Sequence, residues 1–121
     1  MSTTITPTFD AAALRAAIEG RDPAALAELY TDDCVVEIAD RANTPSRPKR
    51  VEGKAALRAV FDDLYSRDMT HRVGTVAVSA DAVGYTVHCR YSGGTRVLCC
   101  GVAELRDGRI ARETGVQAWD A

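Results

Sequence analysis

Two side chains in this sequence combine a suitable chemistry with a suitable position for moving a proton: Asp40 and His71. Asp40 directly follows an apolar, strand-like run at 34–39 and falls on the same face as that strand's inward residues. A carboxylate at an apolar mouth can have its pKa raised and act as a base. The structural alternative is that Asp40 caps the following loop or pairs with Arg41 or Arg50.

His71 stands near the start of a long strand that the pattern predicts from Met69 to Ala80, with a bend at Gly74. Strand alternation turns His71 inward if Val73 points inward. An imidazole titrates near neutral pH and could serve there as a general acid or base. The alternative is a half-buried histidine held by a hydrogen bond.

A set of apolar and aromatic residues with a few polar groups is predicted to line a ligand pocket beside Asp40 and His71. Aromatic rings with one polar group suit flat organic ligands, although core packing alone explains the same residues. Gln117 shares a strand face with Trp119 and Glu113 and could orient a ligand. The predicted pocket residues are Ile38, Phe61, Tyr85, Val87, Cys99, Gln117 and Trp119.

The opposite strand faces are predicted to meet a second copy of the chain. His88 and Arg90 alternate with Val87 and Cys89, so they share the polar face of their strand. With Glu104, they are expected to form cross-strand or cross-subunit pairs in a homodimer. If the faces are exchanged, the same three side chains form a polar cluster inside the cavity, and a one-residue register error would exchange them.

The segment 41–52 is predicted to be a basic loop, because Pro45 and Pro48 oppose a regular element there. Its positive charges either attract an anionic ligand to the pocket mouth or are simply solvated. They are Arg41, Arg47, Lys49 and Arg50.

Bulk composition excludes several function classes. A chain of 121 residues predicts a single domain, 1–121. With 15 basic and 17 acidic residues, nothing favours nucleic acid as a partner. No apolar run approaches the roughly 20 residues of a membrane span, and Met1 to Thr8 lacks the pattern of a secretory signal. We therefore expect a cytoplasmic protein with no membrane partner.

The four cysteines are Cys34, Cys89, Cys99 and Cys100, and their spacing fits no zinc or thioredoxin pattern. They stand in apolar, strand-like segments, where a free cysteine behaves as a small hydrophobic residue. We expect reduced structural thiols, no metal and no cofactor.

The elements that must position these residues follow one another as helix, helix, strand, loop, helix and four antiparallel strands. The first helix begins near Asp10 and ends at Gly20, and the second runs from Asp22-Pro23 to Tyr30. Helices followed by a run of strands favour an α+β fold. The remaining predicted elements are a strand from Cys34 to Ala39, a helix after Gly53, and strands Met69–Ala80, Val83–Tyr91, Thr95–Leu105 and Arg109–Trp119.

Four segments together resemble the nuclear transport factor 2-like superfamily, in its SnoaL-like or ketosteroid isomerase-like branch. They are Arg21 to Val36, Gly53 with Ala56 and Leu57, Leu105 to Ile110, and Gln117 to Asp120. The resemblance implies a cone-shaped fold with three N-terminal helices on a curved, mostly antiparallel sheet. It also implies a pocket between sheet and helices, and a homodimer that pairs through the outer sheet faces.

The catalytic groups of known enzymes in this superfamily carry over poorly. The aspartate base of ketosteroid isomerases falls on Ile38, and their oxyanion-binding tyrosine and aspartic acid fall near Leu14 and near 101–103. Arg90 lacks the nearby aspartates of limonene epoxide hydrolases. The two histidines and four tyrosines do not take the spacing of scytalone dehydratases. For the SnoaL-type cyclases, Asp40 is the candidate base.

We therefore expect a small-molecule pocket protein that acts as a cofactor-independent acid–base isomerase, cyclase or dehydratase. The alternative is a non-catalytic ligand-binding or dimerisation module of the same fold. A nucleic-acid or transport module is the weaker interpretation, because it needs a basic face or an exposed apolar patch.

Overall fold

The computed structural model describes residues 8–121. Residues 1–7, most of the stretch in which no secretory signal is predicted, lie outside the described residues. No helix within 8–121 has the length and apolarity needed to cross a membrane. The elements in this range are α1 Ala11–Glu19, α2 Pro23–Ala27, β1 Tyr30–Ala39, β2 Lys49–Glu52, α3 Lys54–Tyr65, β3 Met69–Val78, β4 Ala82–Tyr91, β5 Arg96–Arg106 and β6 Arg109–Trp119.

The helix boundaries follow from capping residues visible in the sequence. The Asp10 carboxylate accepts a hydrogen bond from the Ala13 amide at 2.9 Å and caps α1, which ends at Gly20. Asp22 caps α2 in the same way, with Pro23 at the first helical position. Gly53 precedes α3 with φ of 89°, a backbone conformation that favours glycine.

The strands form one six-stranded sheet in the order β2-β1-β6-β5-β4-β3. The predicted four-stranded antiparallel meander, β3 to β6, is confirmed. β1 lies beside β6 and is parallel to it. The register of β3 against β4 shifts between Val73 and Val76, around the predicted bend at Gly74. The chain therefore has an α+β fold with a mostly antiparallel sheet.

Two predicted boundaries were wrong. Segment 41–52 contains a strand as well as a loop, because Pro48 stands just before β2 and so takes no donor from its pairing with β1. Tyr30 belongs to β1 rather than to the second helix. Its strand begins early because Tyr30 pairs with Ile110 of β6, and the Ile110 amide donates to the Leu29 carbonyl at 2.8 Å.

One face of the sheet carries the helices and the core, with α1 packed on β3 and α3 packed on β1 and β2. Residues of β4 and β5 alternate across this face, as do those of β6 beyond the register shift near Ile110, and the inward members include Val87, Cys89, Val97 and Glu113. His88, Arg90 and Glu104 are exposed on the other face. The exchanged-face alternative is therefore excluded.

Candidate functional site

A cavity of about 250 Å³ lies between α3 and the inward face of the sheet. Every residue that the sequence placed at the site lines it. Those residues are Asp40, His71, Ile38, Phe61, Tyr85, Val87, Cys99, Gln117 and Trp119. The cavity thus collects side chains from β1, α3, β3, β4, β5 and β6.

The buried end of the cavity holds a carboxyl group between two tyrosines. Glu113 is only 6% exposed. The Tyr30 hydroxyl donates to its Oε1, and the Tyr85 hydroxyl donates to its Oε2. Within 8–121, no ion pair involves Glu113. Two neutral donors, rather than a cation, therefore stabilise its charge.

Strand register brings these three groups together. Glu113 of β6 lies opposite Ala103 of β5 on one side and beside Val36 of β1 on the other. The backbone of Tyr85 on β4 lies opposite Gly101, two residues before Ala103 on β5. Its side chain passes over Gly101 to reach Glu113. A Cβ atom on Gly101 would lie 2.9 Å from Glu113 Oε2 and 3.0 Å from Tyr85 Cζ. An alanine at position 101 would therefore require Glu113 or Tyr85 to shift.

Burial sets the protonation of this cluster. Burial raises the pKa of Glu113, and the hydrogen bonds from Tyr30 and Tyr85 only partly oppose that effect. Burial, followed by the nearby Glu113 charge, also raises the pKa values of Tyr30 and Tyr85 well above the ordinary tyrosine value. Both tyrosines are thus hydrogen-bond donors at neutral pH, while Glu113 can exchange a proton at a higher pH than an exposed glutamate.

His71 lines the cavity near the other end of the sheet and is 7% exposed. Its Nδ1 lies 3.1 Å from Sγ of Cys89, which it faces across the β3–β4 ladder. The Tyr65 ring packs edge-on against the imidazole, with 5.1 Å between centroids. Nε2 is buried and has no hydrogen-bond partner among the described residues. Burial, with a smaller effect of the Arg21 charge, lowers the pKa of His71, so its ring is neutral at neutral pH.

Asp40 stands at the mouth and caps a turn. Its Oδ1 accepts hydrogen bonds from the amides of Ala42 and Asn43, each at 2.8 Å, and from the Asn43 side chain at 3.0 Å. Burial alone would raise the pKa of Asp40, but these hydrogen bonds hold it below its ordinary value. The geometry matches the capping alternative, and a carboxylate with a lowered pKa is a weak base.

Trp119 forms one wall of the mouth. Its ring stacks on Tyr91 with 5.8 Å between centroids, and the Arg41 guanidinium lies 3.9 Å above it. Its indole N–H donates to the Gln117 side-chain oxygen at 3.2 Å. A flat ring bordered by a cation and an amide can hold a planar ligand.

The basic segment 41–52 divides between two roles. Arg50 is paired with Glu37 at 2.9 Å and with Glu52 at 2.6 Å across the β1–β2 ladder. Lys49 lines the cavity mouth instead, as does Arg67 of the turn after α3. Within 8–121, no cluster of His, Cys, Asp and Glu could hold a metal ion.

Sequence reasoning placed Glu113 on the inward face but gave it no role, and it missed Tyr30 as a site residue. The available signal was the charge itself, since an acidic side chain on the core face of a strand is rarely buried without a reason. Tyr30 was not predicted as a site residue because its strand was expected to begin four residues later, at Cys34.

A family model described as a SnoaL-like domain matches residues 11–113. The chain belongs to the SnoaL-like domain family. A search of curated proteins found no match. Because the match extends from α1 to Glu113, it includes almost every element that lines the cavity.

Solved structures similar to this SnoaL-like chain have the nuclear transport factor 2-like, ketosteroid isomerase-like fold. A putative ketosteroid isomerase from Kribbella flavida is 20% identical, with a TM-score of 0.74 over 92% of this chain and 76% of that one. A putative isomerase from Bacillus subtilis is 27% identical, with a TM-score of 0.67 over 87% and 81%. SalBIII, an epoxide hydrolase/cyclase-like enzyme in pyran ring formation of salinomycin, is 19% identical, with a TM-score of 0.67 over 88% and 86%. At these identities the likeness establishes the fold.

The positions that the resemblance to ketosteroid isomerases pointed to carry no acid in this SnoaL-like chain. Position 38 is an isoleucine that lines the cavity, and Leu14 is fully buried in the core. Ala103 carries no acid, but Glu113 lies directly opposite it on β6. The cavity therefore has a buried carboxyl with hydroxyl donors, supplied by a different set of positions.

Proposed function

We propose that this SnoaL-like protein binds a small, largely apolar organic molecule in the cavity and moves a proton on it without a cofactor, with Glu113 as the proton-transferring group. The observation that carries the proposal is the buried Glu113 carboxyl, held by Tyr30 and Tyr85 in a cavity with apolar walls. A carboxyl whose pKa is raised by burial is suited to both take and return a proton near neutral pH.

The reaction class follows from these groups. Ionised Glu113 takes a proton from a carbon beside a carbonyl, and the resulting acid returns it to another carbon or to a departing hydroxyl. Each carboxylate oxygen keeps a free lone pair after accepting one tyrosine hydrogen bond, so Glu113 can still act as a base. A tyrosine hydroxyl released from Glu113 can donate to the developing enolate oxygen. Isomerisation, cyclisation and dehydration all use these steps.

The cavity limits the ligand. Its volume of about 250 Å³ is below the range usual for drug-sized ligands, so one or two fused rings fit best. Lys49, Arg67 and Gln117 stand among its lining residues, whereas Phe61 and Val87 form apolar wall. We infer a ligand with a flat apolar body and a polar oxygen group. SalBIII, whose role is in pyran ring formation, offers a precedent for ring chemistry on this fold.

The test is hydrogen–deuterium exchange on an enolisable ketone, 2-tetralone, followed by proton NMR in D₂O. The protein is expected to accelerate exchange beside the carbonyl, and Glu113→Gln is expected to remove about 10²- to 10⁴-fold of that acceleration, the usual contribution of a general base. His88→Asn, on the exposed outer face, is the matched control and should exchange as the unaltered protein does. Equal exchange rates for the unaltered protein and the Glu113→Gln variant would refute the assignment.

A non-catalytic ligand-binding role is the second candidate. It is favoured by the self-contained network at the buried end, in which both Glu113 oxygens already have tyrosine partners. Binding of 2-tetralone by calorimetry, with no exchange above that of buffer, would support this role over the catalytic one.

The outer sheet face is proposed to form a homodimer. It exposes Leu98, Val102 and Val116 by 42%, 65% and 54%, on neighbouring strands. His88 is directly opposite Leu98 on the same face, at the edge of this apolar patch. Contiguous exposed apolar residues are typical of a contact surface. The single domain 1–121, the cone shape and the cytoplasmic location stay predictions.

A further inference from the structure

A second reactive group lies in the cavity, apart from Glu113. Cys89 and His71 face each other across the β3–β4 ladder on the inward side of the sheet, with 3.1 Å between Sγ and Nδ1. Both line the cavity, and they are 8% and 7% exposed. A thiol within hydrogen-bond reach of a neutral imidazole is the arrangement of an activated cysteine nucleophile.

Two further observations separate this pair from an inert core cysteine. The other imidazole nitrogen, Nε2, is buried without a hydrogen-bond partner within 8–121, and such a group is costly unless something else satisfies it. Cys99 also lines the cavity, one inward row from Cys89 on the neighbouring strand. The neighbouring Cys99 thiol lowers the pKa of Cys89 against the opposing effect of burial. The neighbouring Cys89 and then burial raise the pKa of Cys99, which favours Cys89 as the thiolate of the two.

The pair is spatially independent of the carboxyl centre. Glu113 pairs with Ala103 of β5, whereas Cys89 pairs with Val97 of the same strand. Ala103 and Val97 are about six residues apart, which at about 3.3 Å per residue corresponds to about 20 Å along β5. The proton-transfer proposal and this one can therefore fail separately.

We propose that Cys89 is a nucleophilic thiol activated by His71, and that the cavity captures α,β-unsaturated carbonyl compounds there as thioether adducts. His71 Nδ1 takes the thiol proton, and Sγ forms a bond to the β-carbon of the enone. The electrons of the carbon–carbon double bond move toward the carbonyl oxygen as an enolate. The imidazolium then returns the proton to the α-carbon, so every atom of both reactants is retained and no oxidant or reductant is needed.

The ligand class follows from the surroundings. The ligand must be uncharged to enter a site lined by Tyr65, Val87 and the cysteines. Its attacked carbon must be a polarisable electrophile that reacts with a thiolate. In the bound state, Nε2 of His71, which has no hydrogen-bond partner within the described residues, would donate to an oxygen of the same molecule. A small cyclic enone combines an apolar body, an electrophilic carbon and a single oxygen.

The test uses cyclohex-2-enone and the whole protein, with the modified cysteine identified by peptide mass spectrometry. Cys89 is expected to react severalfold faster in the folded protein than in the same protein unfolded in guanidinium chloride. Near neutral pH, each unit by which a thiol pKa falls raises the rate about threefold, since the gain in thiolate outweighs its lower nucleophilicity. Slower labelling of Cys89 in the folded protein would overturn the proposal without recourse to any variant.

Variants then assign the roles. His71→Asn is expected to slow labelling of Cys89 severalfold while the far-ultraviolet circular dichroism spectrum stays unchanged, and His88→Asn should leave the rate as it is. Glu113→Gln should abolish deuterium exchange but still form the Cys89 adduct, which distinguishes failure of either proposal from failure of both. Unchanged labelling in a folded His71→Asn protein would refute activation by His71.

Discussion

Replacing Gly101 by alanine tests the geometry at the buried end of the cavity. The added Cβ would lie 2.9 Å from Glu113 Oε2, 3.0 Å from Tyr85 Cζ and 3.1 Å from the Tyr85 hydroxyl oxygen. Contacts this short require Tyr85 or Glu113 to move, and we expect this movement to disrupt their hydrogen bond. Position 101 is therefore expected to be intolerant of even one methyl group.

The magnitude can be estimated from three contributions. Overpacking in a core costs about 1–3 kcal/mol. Loss of a hydrogen bond to a charged group costs about 1.5–3 kcal/mol. Alanine returns about 0.4–1 kcal/mol by restricting the unfolded chain. Gly101→Ala should thus lower the free energy of unfolding by about 1.5–5.5 kcal/mol, which corresponds to a fall in Tm of about 6–22 °C in a domain of this size.

Gly115→Ala is the matched control. Gly115 lies directly opposite Gly101 and lines the same cavity. Its added Cβ would meet only Ile38 Cγ1 at 3.6 Å and the Cys100 carbonyl at 3.7 Å, which are ordinary contacts. Thermal unfolding followed by circular dichroism should leave Gly115→Ala within about 1 kcal/mol of the unaltered protein. If both variants melt at the same temperature, the tight Tyr85–Glu113 contact does not exist.

Three further predictions concern charge, the mouth and the outer face. Because burial raises the pKa of Glu113, the folded protein keeps the Glu113 proton at pH values where the unfolded chain has lost it. The free energy of unfolding should therefore fall as pH rises from the ordinary glutamate range to the folded pKa, by at most about 1.4 kcal/mol per pH unit. Chemical denaturation at several pH values should find this slope absent in Glu113→Gln. Asp40→Ala should lower the free energy of unfolding by about 1 kcal/mol at neutral pH, and this loss should shrink as acid protonates Asp40 in the unaltered protein. If Asp40 only caps its turn, the variant should still accelerate deuterium exchange. A loss of that exchange would instead make Asp40 catalytic. Val102→Lys should shift the protein from dimer to monomer in analytical ultracentrifugation. Val78→Lys, at a residue of β3 that is 44% exposed, is the control and should not. An unaltered protein that is monomeric at micromolar concentration would contradict the proposed interface.

The local patterns in the sequence predicted most of the fold because each element carries its own signal. Asp10 and Asp22 mark helix starts, and the turn at Asp107-Gly108 joins β5 to β6 with positive φ at both residues. Alternation along β4 assigned Tyr85 and His88 to the correct faces. β2 was missed since its four residues are half basic and follow a proline, and only pairing with β1 makes them a strand.

The candidate site was harder to predict because its central contacts join residues far apart in the chain. The bond between Tyr30 and Glu113 spans 83 positions and depends on the parallel pairing of β1 with β6, which no local pattern specifies. Asp40 and His71 were chosen for their chemistry, and both do line the cavity. The sequence does not show which of the two carboxyl groups is buried from solvent. In the structure it is Glu113 rather than Asp40.

Direct titration of the Glu113 side chain tests the central claim, that a buried carboxyl with a raised pKa occupies the inner end of the cavity. Carbon-13 NMR of protein labelled at the glutamate carboxyl gives each titration curve, and the signal lost in Glu113→Gln assigns the curve of interest. A midpoint above that of the exposed glutamates is the predicted result. A midpoint at or below theirs would mean that Glu113 is a well-solvated or strongly stabilised carboxylate, and the proposed proton transfer would lose its base.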